Sequence, residues 1–146
     1  MPNYGDRIRL RKQDDQDQIF DPIRRKWILL TPEEWVRQTT LLYIIDQLEV
    51  PVSRIANEVT ITYNGLSRRC DSIIYDDYGQ PLVIVEYKRS DIPITQRTFD
   101  QIATYNLKLK VPYLILSNGQ QHILCQVDFE NQKYIFAQHW PKYNEL

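Results

Sequence analysis

The dipeptide Asn64-Gly65 lies between two segments, residues 59–63 and 66–70, in which apolar and polar side chains alternate. Both central residues of a type I′ turn need positive φ, which asparagine and glycine adopt readily, so this pattern predicts a β-hairpin with a two-residue loop. Such a loop fixes the register of the two strands. The predicted facing pairs are Tyr63 with Leu66, Ile61 with Arg68, Val59 with Cys70 and Glu58 with Asp71.

A third strand is predicted over residues 82–88, after an Asp-Asp-Tyr-Gly turn signal. Its first four residues are all apolar, which is typical of a central strand covered on both faces. Since side chains alternate along a strand, Glu86 and Lys88 lie on one face. If the preceding loop has four residues, Asp71 joins that face, directly opposite either Ile84 or Glu86.

Three carboxylates, those of Glu58, Asp71 and Glu86, are therefore expected to converge with the ammonium of Lys88 on one face of the sheet. Facing carboxylates repel one another, and their burial is costly unless a cation compensates. A divalent metal would supply the missing charge, and oxygen ligands suit Mg²⁺ or Mn²⁺. The alternative is a salt-bridge cluster on a solvated face. The position at the end of an apolar central strand favours a site.

Two helices flank these strands in the predicted order α-β-β-β-α-β-β, a mixed sheet of the α/β (α+β) class. Thr31 as N-cap, with Pro32 and then Glu34, predicts a first helix that ends at about Leu48. Glu34 either closes a capping box or supports a metal site. The positions of this helix at near-helical spacing include Trp35, Thr39, Leu42, Ile45 and Leu48, which predicts that this face packs on the sheet.

A second helix is predicted from about residue 95 to residue 108, followed by a short apolar strand at residues 111–116. A helical crossover makes that strand parallel to residues 82–88. Further strands are predicted over residues 121–127 and near residues 133–137.

At the acidic face the sequence also resembles a known family. Asp71, fourteen intervening residues and Glu86-x-Lys88 resemble the D…(D/E)xK signature of the PD-(D/E)xK nuclease superfamily. The wider sequence, over roughly residues 24–127, resembles the N-terminal nuclease domain of type I restriction enzyme R subunits and their stand-alone relatives. The matching segments are Lys26-Trp27, Leu30-Thr31-Pro32-Glu33-Glu34, Arg69-Cys70-Asp71, Val85-Glu86-Tyr87-Lys88, Asp100-Gln101 with Tyr105, and Asn118-Gly119.

The resemblance implies a restriction-endonuclease-like core and a metal-dependent DNA endonuclease. Asp71 and Glu86, with the backbone carbonyl of residue 87, would ligate Mg²⁺ or Mn²⁺, and Lys88 would position or deprotonate the attacking water. The hairpin register favours Glu58 as a third, supporting acid, whereas the habit of the superfamily favours Glu34. Both alternatives stay open at this point.

The second helix carries Gln101 and Tyr105 four residues apart. In the resembled family a Gln-x-x-x-Tyr pair on this helix lies beside the active site and contacts its lysine or the DNA, which implies a catalytic role for Gln101. Tyr105 is therefore an expected DNA contact. Three basic residues are also expected to contact DNA, namely Arg69, Arg89 and Arg97.

A chain of 146 residues suits one domain, here placed at residues 21–146, after an N-terminal arm at residues 1–20 that is either mobile or carries a short strand. A composition that is 42% hydrophobic and 25% charged is typical of a globular protein. The net charge of −1 requires any DNA binding to come from local patches. No apolar run reaches the length of a membrane span, and two cysteines favour a reducing, cytoplasmic setting.

An alternative function is a nuclease-fold module that binds DNA or protein, and that is inactive alone or works only in a larger restriction or repair complex. The near-zero net charge and the absence of a motor segment favour it, whereas the intact D…ExK set favours an enzyme. A third interpretation is a protein-interaction domain that uses its ten tyrosines. A duplex cut needs two active sites or two sequential nicks, so a homodimer is compatible with the nuclease.

Overall fold

The computed structural model describes residues 4–146, which form two sheets and two long helices. From the first long helix onward, the order α-β-β-β-α-β-β and the added last strand confirm the predicted fold class. The elements are β1 Leu10–Gln13, β2 Gln16–Asp21, β3 Lys26–Leu29, α1 Pro32–Leu48, β4 Ile55–Tyr63, β5 Leu66–Tyr75, β6 Pro81–Tyr87, α2 Gln96–Leu109, β7 Tyr113–Ser117, β8 His122–Asp128 and β9 Lys133–Phe136.

The main sheet has six strands in the order β4-β5-β6-β7-β8-β9. The pair β6–β7 is parallel and the other neighbours are antiparallel, so the sheet is mixed, as expected from a helical crossover between β6 and β7. One apolar core joins the sheet to α1 and a second joins it to α2. The central strand β6 is therefore buried on both faces, and side chains at its end can lie close to either helix.

The hairpin β4–β5 has the predicted loop and register. Asn64 and Gly65 have φ values of 50° and 79°, as a type I′ turn requires. Three predicted pairs are present in the ladder, namely Tyr63 with Leu66, Ile61 with Arg68 and Val59 with Cys70.

The hairpin is distorted at Glu58, whose φ is 56°. The ladder pairs Asn57 with Ser72 and Val59 with Cys70, which places Glu58 opposite Asp71 without regular pairing. Strict alternation would put Cys70 and Ile73 on opposite faces, yet both belong to the core beneath α2. The alternation of side chains is therefore interrupted near Glu58 and Asp71, so that beyond this point the side chains of β4 and β5 point to the opposite face of the sheet from the one that strict alternation predicts. A positive φ at a non-glycine residue costs on the order of 1–3 kcal/mol and is often found at functional sites.

Helix α1 ends at Leu48, as predicted, but its predicted inward face is wrong. Trp35 is 38% exposed, and Leu48 is the one predicted inward residue that is fully buried. The buried residues of α1 include several polar ones that apolar spacing cannot identify, and they are Glu34, Val36, Arg37, Gln38, Thr40, Leu41, Ile44 and Leu48. Hydrogen bonds and ion pairs inside the fold compensate for the burial of those polar groups.

The expected N-terminal arm at residues 1–20 contains a 3₁₀ helix at Tyr4–Arg7 and, from residue 10 onward, strands of a three-stranded sheet of order β1-β2-β3. Residues 1–3 lie outside the described part of the chain. Asp14 and Asp15, with φ values of 54° and 60°, form the two-residue loop between β1 and β2. Because Asp adopts positive φ less readily than Asn or Gly, the sequence signal for this hairpin is weak.

Both cysteines, Cys70 and Cys125, are free and fully buried in strands, as predicted. Burial raises the pKa of each thiol to about 12. No helix in the described part of the chain is long and apolar enough to cross a membrane.

Candidate active site

The β5–β6 ladder brings Asp71 and Glu86 together. Its last regular pair is Ser72 with Val85, and one step further along both strands places Asp71 opposite Glu86. The Asp71 carboxylate accepts a hydrogen bond of 2.9 Å from the backbone N–H of Tyr87, the residue after Glu86. Of the two partners considered for Asp71 in the sequence, the register therefore selects Glu86.

Glu86 is a buried acid next to a second acid. Only 7% of the surface of Glu86 is exposed. Burial is the largest effect on its pKa and raises it, and the charge of Asp71 raises it further. Arg68 and Lys88 act in the opposite direction, but the pKa of Glu86 still rises to about 8. The neighbouring cations of the protein thus do not fully compensate the negative charge of Asp71 and Glu86.

Arg68 is the cation nearest to Glu86. Its Nη2 lies 2.9 Å from Glu86 Oε1, but no N–H points at that oxygen, so Oε1 has no hydrogen-bond partner among the described residues. The same guanidinium bonds the side-chain oxygen of Asn106 on α2 and lies over the ring of Tyr105 at 4.9 Å. Arg68 is therefore held from the α2 side, and leaves Oε1 of Glu86 with an unused acceptor site.

Lys88 follows directly after β6 and is half-buried. Its backbone N–H donates to the carbonyl of Ser117 at 2.8 Å, which continues the pairing toward β7. Within residues 4–146 its ammonium forms no ion pair or hydrogen bond, yet its charge reaches Glu86 and lowers the pKa of that acid. Lys88 is thus an uncommitted cation beside the Asp71–Glu86 pair.

Glu34 and Glu58 gather around Arg37 of α1. The Arg37 guanidinium binds the carboxylate of Glu58 and lies 3.2 Å from Glu34, and it donates to the backbone carbonyl of Asp71 at 2.5 Å. Burial raises the pKa of Glu58, but hydrogen bonds from Arg69 and Arg37 lower it below its ordinary value. Both acids expected as metal supports are therefore committed to arginines.

At the start of α1, Thr31 is the N-cap as predicted, but the side chain of Glu34 does not close a capping box. The backbone N–H of Glu34 donates to Thr31 Oγ1 at 3.0 Å, as in a capping box. Its carboxylate, however, binds Arg24 at 2.8 Å.

A buried polar network ties the small sheet to the strands of the site. Asp21 at the end of β2 is fully buried and binds both Arg24 and the Asn57 amide. The Asn57 oxygen accepts from Ser72 at 2.6 Å, whose hydroxyl accepts from Tyr87 at 2.9 Å. These bonds fix β4, β5 and β6 relative to one another next to the acid pair.

The remaining predicted residues have separate positions. Tyr105 donates from its hydroxyl to the backbone carbonyl of Ser67 at 2.7 Å, whereas the side chain of the exposed Gln101 forms no hydrogen bond with the described residues. Arg69, Arg89 and Arg97 are exposed. Arg69 pairs with Glu58 at 2.8 Å and Arg89 with Asp91 at 3.1 Å.

The acid pair fits a divalent metal ion, although no three His, Cys, Asp or Glu side chains within residues 4–146 form a ready-made metal cluster. Asp71 and Glu86 supply hard oxygen donors, and the buried Oε1 of Glu86 accepts no hydrogen bond from the described residues although it lies in an ion pair with Arg68. Mg²⁺ commonly binds through one or two carboxylates and keeps several waters, so two acids suffice.

Two arginines at the site, Arg37 and Arg68, could not be identified from the sequence. Strict alternation along β5 would put Arg68 on the face opposite Asp71, and the exchange of faces near Glu58 is what brings it to Glu86. A buried arginine on a helix has no periodic signal that would have revealed Arg37.

Comparison with known proteins gives a family match and two similar folds. A family model described as type I restriction enzyme R protein N terminus (HSDR_N) matches residues 32–141, which are 110 of the 146 residues. A fragment from Vibrio vulnificus YJ016, assigned as an HsdR subunit of a type I restriction enzyme, is 18% identical with a TM-score of 0.48, and the match covers 80% of this chain and 24% of that one. This chain thus spans about a quarter of that fragment.

A protein of Anabaena variabilis ATCC 29413, assigned as a nuclease of the group DUF820, is 13% identical with a TM-score of 0.47. That match covers 87% of this chain and 79% of the other. No curated protein matches the chain significantly.

Proposed function

The chain belongs to the family of type I restriction enzyme R protein N termini, and from this premise we propose that it is a metal-dependent DNA endonuclease. The reaction is hydrolysis of a phosphodiester bond, and the site is formed by Asp71, Glu86 and Lys88. The observation that carries the proposal is the pairing of the half-buried Asp71 with the buried Glu86, one oxygen of which has no hydrogen-bond partner among the described residues.

Asp71, Glu86 and the backbone carbonyl of Tyr87 are the groups that would hold Mg²⁺ or Mn²⁺. When bound, the metal would neutralise charge that develops on the phosphate and lower the pKa of a water molecule. Asp71 is already oriented for this role, because the backbone N–H of Tyr87 holds one of its oxygens. A site whose ligands are fixed before binding loses less entropy when the ion enters.

Lys88 acts on the reacting atoms. Its ammonium hydrogen-bonds to the attacking water or to a phosphate oxygen, and so positions the nucleophile and stabilises the negative charge of the transition state. Because no carboxylate within the described residues pairs with this ammonium, its donors are available to substrate. Gln101 and Tyr105 on α2 are proposed to contact the DNA beside it, with Arg69, Arg89 and Arg97 as further contacts.

A second candidate function is a nuclease-fold module that needs a partner in order to cut, as part of a larger restriction complex. Arg68 favours it, because a guanidinium 2.9 Å from Glu86 lies close to where the metal is proposed to bind. In this version, a partner or DNA draws Arg68 away before the metal enters. The two candidates differ in whether the isolated chain cleaves.

The test is cleavage of supercoiled plasmid and of single-stranded DNA in Mg²⁺, Mn²⁺ or EDTA. Wild type is compared with Asp71→Asn and Lys88→Ala. Matched controls carry the same chemical change at exposed positions, Asp14→Asn and Lys133→Ala. The folded state of every variant is checked by circular dichroism.

Cleavage that requires metal, that is lost in both site variants and that is kept in both controls would support the endonuclease. If folded wild type binds Mn²⁺ through Asp71 but does not cleave, the partner-dependent module is favoured. Cleavage that survives Asp71→Asn and Lys88→Ala would overturn the site.

A further inference from the structure

The small sheet has one face that carries arginine and aromatic side chains. Along β2, Ile19 and Asp21 are fully buried, and since side chains alternate, Phe20 lies on the other face. Phe20 is paired with Trp27 across the strands, and its N–H donates to the carbonyl of Arg9. This surface is called here the arginine–aromatic face, and it consists of Arg9, Arg11, Gln18, Phe20 and Trp27.

The side chains of the arginine–aromatic face stack on one another. The guanidinium carbon of Arg9 lies 4.6 Å from the ring centroid of Phe20, and that of Arg11 lies 4.4 Å from Trp27. The two rings meet edge to face with centroids 5.4 Å apart. Each guanidinium carbon thus lies over a ring, and both arginines are exposed, so their guanidinium groups are accessible to a further ligand.

The positive charge of this face is not compensated by an ion pair with any described residue. Neither Arg9 nor Arg11 forms an ion pair within the described part of the chain, and Arg11 donates its Nε–H to the neutral amide of Gln18 at 2.6 Å. By contrast, Arg37 and Arg68 at the candidate active site each lie within ion-pair distance of a carboxylate. The face therefore has charge complementarity to an anion that also carries planar groups.

Single-stranded DNA combines those two properties. Its unpaired bases stack on aromatic rings and on guanidinium planes, and its phosphates bind arginine. In a duplex the bases are stacked on one another and only the phosphates would reach this surface. We propose that the arginine–aromatic face binds single-stranded DNA without metal, as a second nucleic-acid contact distinct from the Asp71–Glu86 site. The inference uses other residues than the proposed function and does not depend on cleavage.

The test is fluorescence anisotropy of a labelled oligothymidine of about 12 nucleotides, titrated with the full chain in EDTA. Arg11→Gln is compared with Lys12→Gln, which removes one positive charge from the opposite face of the same strand. We expect Arg11→Gln to weaken binding and to reduce the slope of log K against log salt by about 0.7, whereas Lys12→Gln changes neither. Arg9→Gln should act like Arg11→Gln, and Trp27→Leu should weaken binding about tenfold by removing the ring over which both guanidinium groups lie.

Several results would overturn the inference. These are no binding by folded wild type at low salt, equal weakening by Lys12→Gln and Arg11→Gln, or equal competition by a duplex of the same length. The first of these would leave the face to a protein partner. Asp71→Asn separates the two proposals, because it should abolish cleavage and keep oligothymidine binding. If cleavage depends on Asp71 but oligothymidine does not bind in EDTA, the inference about single-stranded DNA is wrong and the proposed nuclease function stands.

Discussion

The guanidinium of Arg68 lies 2.9 Å from the buried carboxylate of Glu86 and directs no N–H at the nearer oxygen. Burial and the neighbouring Asp71 raise the pKa of Glu86 to about 8, and Arg68 acts against that rise. Arg68 therefore supplies part of the positive charge that two facing acids need. A divalent metal at the same oxygen would supply more of this positive charge, so Arg68 and the metal would compete for Glu86.

Arg68→Gln should strengthen the binding of Mn²⁺ at pH 8.5 roughly tenfold, which corresponds to about 1.4 kcal/mol of relieved repulsion between like charges. Isothermal titration calorimetry measures the change. Arg69→Gln is the matched control, because this neighbouring arginine pairs with Glu58 and not with Glu86. Weaker Mn²⁺ binding by folded Arg68→Gln would show that Arg68 supports the site.

Glu86→Gln should stabilise the metal-free protein as pH rises. In the wild type the folded pKa of Glu86, about 8, exceeds its ordinary value of 4.5, so the folded state holds more protons and loses stability between these two pH values. A neutral amide lacks that loss, and at pH 8.5 in EDTA the gain should be about 1 kcal/mol or more, roughly 3 °C in Tm. Mg²⁺ should raise the Tm of wild type and not of the variant.

Thermal unfolding at several pH values checks this prediction. Glu130→Gln, at an exposed position between β8 and β9, is the control and should follow the wild type. A Glu86→Gln protein that is less stable than wild type at every pH in EDTA would contradict the description of Glu86 as an under-compensated acid.

Lys88→Ala should lower the rate of cleavage by about 100-fold or more, since removing one donor that stabilises the charge of the transition state typically costs that much. Lys88 has no ion pair among the described residues to lose, so the stability of the fold and the binding of Mn²⁺ should change little. Single-turnover kinetics, together with thermal unfolding, separate the two effects. Loss of Mn²⁺ binding in this variant would assign Lys88 to metal retention.

Asp21→Asn tests the network that joins the small sheet to the site. Burial raises the pKa of Asp21, but hydrogen bonds from Arg24 and Asn57 lower it, with the net result below the ordinary 3.8. Its contribution to stability is therefore present above about pH 4 and is lost as pH falls through the lowered pKa. The variant should lose about 3 kcal/mol at pH 7, and the difference from wild type should shrink in acid.

Urea unfolding at pH 7 and pH 3 measures that difference, with the exposed Asp17→Asn as control. A difference that stays constant between the two pH values would show that the Asp21 carboxylate is not held in its charged form by the fold.

The hairpin and its neighbours could be predicted because local chemistry decides them. Asn64-Gly65 fixes the loop, the loop fixes the register, and the register places Glu58 opposite Asp71. The apolar run of β6 and the following helix likewise predict the parallel neighbour β7. Whether Asp71 meets Ile84 or Glu86 depends on the irregular pairing near Tyr75, which sequence alone does not show.

The parts that could not be predicted depend on side chains from distant segments. Helix α1 buries Glu34 and Arg37, which polarity assigns to the solvent, because Arg24 and Glu58 approach from other elements to bind them. The role of Arg68 depends on the positive φ of Glu58, which alternation along a strand does not anticipate.

The most direct test of the account is a crystal structure of the protein grown or soaked with Mn²⁺, using anomalous scattering to locate the ion. The account predicts an ion about 2.1 Å from carboxylate oxygens of both Asp71 and Glu86, and from the carbonyl of Tyr87, with water completing the shell. It also predicts that Arg68 moves away from Glu86. An ion that binds instead between Glu34 and Glu58, or an ordered acid pair without an ion at saturating Mn²⁺, would contradict it.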